Sequence, residues 1–371
     1  MPAPVTPATT PAVSAPARDR RPLALRLLRA AGVGLALLAL VAALLWLYAR
    51  GYALDSQPPA DPHTRPADLV FLQARPAPRG KVLAVVSSAA HLGASGKRAG
   101  FELTELSRAY YVFLANGYDV DIASPKGGRP PMKVDDELVE ADHAFLNDTQ
   151  AQAKLAATLP LAQVDPADYA AVYFVGGKGV MFDFPDNPDI QRITAAIDAR
   201  GGVVGAVCHG PAALLNVRRP DGRRLLAGRQ VAGFSNAEEL FLIKEARTIF
   251  PFLLQDQLRK VGARYSEGPL YLDHTVVDGR LVTGQNPWST WSVAEAMVRA
   301  LGHTPVPRAT TREELAVRVL WAYQRDGAAA ARALKAALPE ADRRLLLLHA
   351  LIAGMQGRLG DAWQLQRLAR V

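Results

Sequence analysis

Cys208 and His209 are the residues whose types and spacing most clearly permit chemistry. They follow the apolar run 203–207 and precede Gly210-Pro211 and a second apolar run. This pattern predicts a strand, a sharp turn and a helix, which would aim a helix N-terminus at the thiol. We therefore expect the pKa of Cys208 to lie below the ordinary value of roughly 8.5, with His209 as the adjacent base. The alternative interpretation is a buried, unreactive cysteine.

The composition limits the classes of protein to which the chain can belong. Its 371 residues are 50% hydrophobic, which suits one large or two smaller domains with appended segments. The single cysteine excludes an intramolecular disulfide framework and a cysteine-cluster metal site. Much of the net charge of +8 comes from arginine-rich ends, and the sequence contains no zinc finger, phosphate loop or basic–aromatic stripe. We therefore expect no nucleic-acid partner.

The isolated histidines give no indication of a metal site. His91, His143 and His274 lack the spacing of a set of two histidines and one carboxylate. We expect them to be surface or hydrogen-bonded core residues, and we expect no metal.

Alternating apolar runs predict the elements that position Cys208. Near-continuous apolar strands alternating with helices are typical of an α/β protein whose mostly parallel sheet is sandwiched by helices. In such sheets chemistry occurs at the carboxyl ends of the strands, where both Gly176-Gly177 and Cys208 fall. The predicted strands are 81–88, 119–124, 170–175 and 202–207, and the predicted helices between them are 101–116 and 189–200.

The N-terminal part of the chain has the pattern of a membrane anchor. A Pro-, Ala- and Thr-rich segment and several arginines precede the uncharged apolar run 30–48, whose length is close to the ~20 residues that span a bilayer. The arginines predict a cytoplasmic N-terminus, with the remainder of the chain on the periplasmic or extracellular face. A cleaved signal peptide is the alternative. The Pro-, Asp- and Arg-rich residues that follow indicate a linker.

The C-terminal part changes to an Ala-, Leu- and Arg-rich composition with apolar residues at helical spacing. We predict three or four packed helices with a structural or protein-contact role. The chain is therefore predicted to consist of a disordered basic cytoplasmic tail (1–29), a transmembrane anchor (30–48), a linker (49–79), an α/β domain (80–305) and an α-helical extension (306–371).

Several stretches of the α/β region resemble the ThiJ/PfpI superfamily, whose members are relatives of the class I glutamine amidotransferases. The resemblance covers about residues 80–302, and its details are similar to the chaperone/glyoxalase III-like branch. It implies a flavodoxin-like fold for this region. The stretches that carry it are 96–106, 117–128, 176–179 with 183–187, 206–211, and 233–239 with 278–287.

The resemblance implies roles for individual residues. It makes Cys208 the nucleophile, His209 its neighbouring base and Glu239 the acid that orients the imidazole, with Glu238 as the alternative one position earlier. Glu105 carries over as the carboxyl group that faces the sulfur. Because a carboxylate beside a thiolate is unfavourable, Glu105 should be protonated and donate a hydrogen bond.

The glycine loop of the resemblance implies a site for substrate. Gly176 and Gly177 follow a strand end, where backbone N–H groups could approach a substrate oxyanion. Lys178 is expected at the same site, although the family often has a histidine at this place.

The implied activity is that of a glyoxalase III-like lyase of the D-lactate dehydratase type, which needs no cofactor. It would convert methylglyoxal or a related 2-oxoaldehyde, a small reactive carbonyl substrate, to a 2-hydroxy acid through a hemithioacetal on Cys208. The alternatives are a membrane-tethered holdase chaperone or stress protein with a redox-sensing cysteine, and a cysteine amidase or peptidase. The family commonly forms dimers, so a homodimer is a further expectation, although the added helices could extend or block its interface.

Overall fold

The computed structural model describes residues 23–371, and the chain divides into two compact units that meet between Ala53 and Leu54. In the first unit, helix α1 spans Leu23–Arg50. It begins inside the segment predicted as a tail, and residues 1–22 of that predicted tail lie outside the described residues. An unburied apolar segment, Ala31–Ser56, has mean hydropathy 2.3 and is long enough to cross a membrane. A signal sequence near an N-terminus has the same properties.

The second unit is built around a seven-stranded sheet with the order β10-β11-β7-β6-β1-β3-β5. All neighbouring pairs in this sheet are parallel except β10 and β11. Two short parallel pairs, β2–β4 and β8–β9, lie outside it. The strands are β1 (Lys81–Val85), β2 (Phe101–Glu102), β3 (Asp119–Ser124), β4 (Met132–Lys133), β5 (Leu159–Pro160), β6 (Tyr169–Phe174), β7 (Val203–Val207), β8 (Gln230–Val231), β9 (Arg264–Tyr265), β10 (Thr275–Asp278) and β11 (Leu281–Gly284).

Helices surround this sheet and follow it in the chain. α2 and α10 pack against each other and against the sheet, and α6 packs on β6 and β7. The predicted α/β class with a mostly parallel sheet is therefore confirmed. The helices of this unit are α2 (Leu103–Ala115), α3 (Glu140–Asn147), α4 (Thr149–Ala156), α5 (Val180–Asp183), α6 (Pro188–Ala199), α7 (Asn236–Leu242), α8 (Ala246–Ile249), α9 (Leu254–Lys260), α10 (Thr290–Ala300), α11 (Arg312–Ala337), α12 (Arg343–Met355) and α13 (Leu359–Leu368).

Burial explains the strand sequences. Every residue of β7 is buried, and so is every residue of β1 after Lys81. A strand of a parallel sheet that is covered on both faces has no solvent side, so its sequence is an unbroken apolar run. The neighbouring strands β6 and β7 end side by side, which brings the residues that follow them, Gly176 and Cys208, to one edge.

Residues 54–79, which the sequence predicts to be a linker, are folded onto the second unit. Thr64 and Leu69 are buried, and Gln57 Nε2 donates a hydrogen bond to the carbonyl oxygen of Ala341 at 3.2 Å. Asn147 Nδ2 donates to the carbonyl oxygen of Thr64 at 2.9 Å. A composition rich in Pro and Asp signals a lack of regular structure, and here that irregular backbone is fixed by long-range hydrogen bonds.

The C-terminal helices also belong to the second unit. Arg108 of α2 is fully buried and pairs with Asp142 at 3.1 Å and with Glu313 of α11 at 2.8 Å. Trp321 of α11 donates its indole N–H to the carbonyl oxygen of Asp273 at 2.9 Å. These contacts fasten the extension to the α/β core, so the predicted boundary at 305/306 separates no independent body.

Candidate active site

The turn after β7 holds Cys208 in a strained backbone conformation. Cys208 has φ 59°, a left-handed value that costs a residue with a side chain about 1–3 kcal/mol. Two hydrogen bonds hold it there: its N–H donates to Gly284 at 2.9 Å, and its carbonyl accepts from Phe234 N–H at 2.8 Å. The next element is a short 3-10 helix, Gly210–Leu214, where the sequence predicts an ordinary helix start.

His209 connects the thiol to a carboxylate. Its Nδ1 lies 3.2 Å from Cys208 Sγ, and its Nε2 lies 2.6 Å from Glu239 Oε2. The imidazole stacks on Phe234 with 4.5 Å between ring centroids, and both His209 and Glu239 are buried. A base held in this way between an acceptor carboxylate and a thiol has the arrangement needed to take the thiol proton.

Glu238, the alternative to Glu239, has a different place. Its carboxylate accepts from the N–H groups of Ser235 at 3.0 Å and Tyr271 at 2.8 Å and from Asn286 Nδ2 at 2.9 Å. These contacts cap α7 and tie it to residue 271. The geometry therefore places Glu239, and not Glu238, against His209.

Glu105 lies in the first turn of α2 with no exposed surface. Its Oε2 accepts the N–H of Gly176 at 2.7 Å, and the side chain lines the same cavity as Cys208. Burial raises the pKa of Glu105 to about 8. The group is therefore neutral at pH 7 and is a proton donor, the state that the sequence analysis predicted.

The predicted low pKa of Cys208 is wrong for the resting site. Burial raises the pKa of the thiol well above its ordinary value, the neighbouring Glu105 raises it further, and the charge of Lys178 only partly opposes them. A pattern of strand, turn and helix indicates a helix dipole but not the depth of burial. The site therefore holds a neutral thiol beside an imidazole at rest.

The glycine loop fits closely around Glu105 and Cys208. A Cβ on Gly176 would lie 2.5 Å from Glu105 Oε2 and 2.9 Å from Cys208 Cβ, so no side chain can be accommodated. The N–H of Gly176 already donates to Glu105, which corrects the expectation that it binds a substrate oxyanion. Gly177 lines the same cavity as Cys208.

A cavity of about 520 Å³ opens over Cys208, Glu105 and His209. Its polar side includes Lys178, whose Nζ lies 3.3 Å from Asp135 Oδ2. This side also includes residues that sequence reasoning did not assign to the site, Asp136 and Glu102. Burial raises the pKa of Glu102 to about 9, so this carboxyl is neutral at pH 7. Two carboxyl groups of this cavity, those of Glu102 and Glu105, therefore have pKa values above 7.

The remaining lining of the cavity is apolar. It is lined by residues that lie far apart in the sequence, and apolar periodicity alone marks such residues only as parts of a helix or a core. Two of them come from α12 of the C-terminal extension. These apolar lining residues are Phe234, Phe241, Leu242, Ile243, Tyr271, Pro287, Trp288, Leu348 and Ile352.

The isolated histidines lie outside this cavity. His274 Nε2 is 2.8 Å from Ser266 Oγ, His91 is exposed and His143 is half-buried. Within residues 23–371, no group of three or more His, Cys, Asp or Glu side chains is arranged to hold a metal ion.

Two curated proteins of similar sequence are named as glyoxalases. "Glyoxalase 3" of Candida albicans is 32% identical over 234 residues, which cover 59% of this chain and 97% of that protein. "Glutathione-independent glyoxalase HSP31" of Saccharomyces cerevisiae is 32% identical over 242 residues, 61% of this chain and 99% of that protein.

Two solved structures are also similar to this chain. Rapid Encystment Protein 24 KDa of Francisella tularensis has a TM-score of 0.57 at 34% identity over 60% of this chain and 99% of its own. Glyoxalase III of Candida albicans has a TM-score of 0.55 at 30% identity over 60% and 97%. The sequence model of the DJ-1/PfpI family matches residues 97–300. The chain therefore belongs to the DJ-1/PfpI family.

Proposed function

We propose that this chain is a glutathione-independent, glyoxalase III-like enzyme that converts methylglyoxal or a related 2-oxoaldehyde to a 2-hydroxy acid. The observation that carries the proposal is the series of contacts from Cys208 through His209 to Glu239, in a cavity that also contains Glu105, whose pKa is raised by burial. Relatives named "Glyoxalase 3" and "Glutathione-independent glyoxalase" support it. They give no support to the holdase or amidase alternatives.

In the first step, Cys208 Sγ forms a bond to the aldehyde carbon while His209 takes the thiol proton. The electron pair of the aldehyde π bond moves to its oxygen, which takes the proton of Glu105 and completes a hemithioacetal. Transfer of the proton during attack suits a thiol whose pKa is high, because no free thiolate has to accumulate.

In the second step, the Glu105 carboxylate removes the hydrogen of the former aldehyde carbon, and His209 protonates the ketone oxygen to give an enediol. Glu105 then returns its proton to the neighbouring carbon. His209 accepts the hydroxyl proton of the carbon bonded to sulfur, which leaves a 2-hydroxy thioester. One carboxyl group thus carries a hydrogen between two adjacent carbons, which its pKa near neutrality permits.

In the last step, water adds to the thioester carbon and gives a proton to Glu105. The carbon–sulfur bond breaks, and the sulfur takes the proton held on His209. The products are the 2-hydroxy acid and the starting thiol, so methylglyoxal and water yield lactate and one proton.

The experiment is methylglyoxal consumption and lactate release by the full-length chain in detergent, with no added thiol. We expect turnover by the wild type and a loss of at least about 1000-fold in Cys208→Ser, because the hydroxyl is a far weaker nucleophile. A matched control is His274→Gln, since His274 lies outside the cavity. Equal turnover by wild type and Cys208→Ser, or no turnover by either, would overturn the proposal.

We further propose that α1 anchors the chain in a membrane as a single span, with a cytoplasmic N-terminus. The apolar, unburied helix and the arginines before it support this proposal. Alkaline carbonate extraction should leave the protein in the membrane pellet, and protease added outside the cell or spheroplast should degrade residues 54–371. A mature protein whose N-terminus follows the helix would instead identify a cleaved signal peptide.

A further inference from the structure

One helix beyond the residues matched to the family forms part of the active-site cavity. Leu348 and Ile352 are four residues apart on α12, so they share a face of that helix. Both line the cavity that contains Cys208. The family match ends at residue 300, so this part of the cavity wall is supplied by the C-terminal extension.

The position of α12 is fixed by packing. His349, which lies between Leu348 and Ile352 in the sequence, is buried, and Ile352 is only 4% exposed. Another helix of the extension, α11, is attached to the α/β core by the ion pair between Glu313 and Arg108 at 2.8 Å. The wall is therefore a permanent part of the cavity rather than a loose appendage.

The cavity wall next to α12 is aromatic. Tyr271 packs edge to face against Phe241 and Trp288, with ring centroids 6.2 and 5.8 Å apart. With Leu348 and Ile352 these rings form an apolar part of the cavity lining. An aromatic or branched aliphatic substituent would gain free energy by burial against this lining.

The volume of the cavity also favours a large substituent. Its volume of about 520 Å³ lies within the ~300–1000 Å³ range of pockets that hold drug-sized ligands. A three-carbon oxoaldehyde bonded to Cys208 would leave most of the apolar wall without contacts.

We propose that α12 makes this chain selective for 2-oxoaldehydes with an aromatic or branched aliphatic substituent, which Leu348 and Ile352 contact. The inference rests on the proposed function, because the aldehyde group is taken to react at Cys208.

The test compares kcat/KM for phenylglyoxal and methylglyoxal in the full-length chain. We expect the wild type to favour phenylglyoxal, and the ratio of the two values to fall at least about fivefold in Leu348→Ala and Ile352→Ala, since a lost apolar contact is worth about that much or more. Leu348 is 42% exposed, so its truncation should not prevent folding. Leu351→Ala is the matched control, because Leu351 is an exposed leucine of the same helix that does not line the cavity.

The ratio also separates the two proposals. Turnover of methylglyoxal with no preference for phenylglyoxal, or with the same ratio in Leu348→Ala and Leu351→Ala, overturns the selectivity and leaves the proposed function intact. Turnover of neither aldehyde by the wild type overturns the proposed function.

A binding measurement tests the apolar wall without turnover. Calorimetry on Cys208→Ser should give tighter binding of mandelate, the product expected from phenylglyoxal, than of lactate. Adding Leu348→Ala should weaken mandelate binding at least about fivefold, whereas adding Leu351→Ala should not. Equal affinities for mandelate and lactate would overturn the selectivity.

Discussion

Glu239 Oε2 lies 2.6 Å from His209 Nε2, and both side chains are buried. This contact directs the other imidazole nitrogen, Nδ1, to the thiol of Cys208. A carboxylate in this position selects the tautomer that can accept the thiol proton and stabilises the imidazolium that forms.

Replacement of Glu239 by Gln should therefore reduce activity more than stability. The amide has the same shape but can present N–H to the imidazole, which reverses the required tautomer. We expect kcat/KM for a 2-oxoaldehyde to fall at least about 100-fold, measured by initial rates at pH 7.

Glu238→Gln provides the contrast for this prediction. Glu238 accepts from the N–H groups of Ser235 and Tyr271, so the amide leaves buried donors without a partner. We expect a loss of about 1–3 kcal/mol in the free energy of unfolding, measured by urea denaturation. A larger activity loss in stably folded Glu238→Gln than in Glu239→Gln would contradict the assignment.

The pH dependence of activity should report Glu105. Its carboxyl must be protonated to donate to the hemithioacetal oxygen, and burial raises its pKa to about 8. We expect kcat/KM to fall about tenfold per unit as the pH rises above that value. A stopped-flow or initial-rate profile from pH 6 to 10 measures this limb.

Glu102→Gln is the control for the pH profile, because the pKa of Glu102 is raised by burial to about 9 in the same cavity. The descending limb near pH 8 should remain in this variant. Its disappearance in Glu102→Gln would assign the titration to Glu102 instead.

The Arg108–Glu313 pair should contribute measurably to stability. Glu313→Ala leaves the fully buried Arg108 with Asp142 as its remaining carboxylate partner among the described ion pairs. We expect the free energy of unfolding to fall by about 2–4 kcal/mol, measured by urea denaturation. Arg344→Ala, which removes an exposed pair with Glu137, should cost less than about 1 kcal/mol. Equal effects of the two substitutions would refute this difference.

His349 should make α12 sensitive to acid. Burial lowers its pKa from 6.5 to about 4, so the unfolded chain binds a proton at a higher pH than the folded chain does. The contribution of this group to stability is complete above pH 6.5 and is lost as the pH falls toward 4, by up to about 3 kcal/mol.

The difference between wild type and His349→Leu isolates this group from the carboxyls that titrate in the same range. The urea midpoint of unfolding should fall between pH 7 and pH 4.5, and this fall should be smaller in His349→Leu than in the wild type. His91→Leu, which changes an exposed histidine, should behave as the wild type does. An identical acid response of wild type and His349→Leu would show that His349 is not responsible.

The parts of the site that follow a local pattern could be predicted from sequence. Cys208 and His209 are neighbours at the end of an apolar strand, and the resemblance to a family supplied Glu105 and Glu239. The ranking of Glu239 above Glu238 also matches the geometry, in which only Glu239 faces His209.

What the sequence could not supply depends on long-range packing. Ile352 reaches the cavity only because α12 folds back over the α/β core, more than a hundred residues from Cys208 in the chain. The pKa of Cys208 depends on burial by several separate segments, so a local motif predicted the wrong direction. The packing of residues 54–79, which were predicted to be a linker, was missed for the same reason. Gln57, for example, donates a hydrogen bond to Ala341, which lies near the other end of the sequence.

The contacts of Gln57 also join the first residues of the second unit to its last helices. Its amide donates to the carbonyl oxygen of Ala341, and its Oε1 accepts the N–H of Arg343, the first residue of α12. Residues near position 57 therefore help to hold the start of the helix that supplies Leu348 and Ile352 to the cavity. A truncation that removes Gln57 would reach the active-site cavity through this helix, although residue 57 itself does not line that cavity.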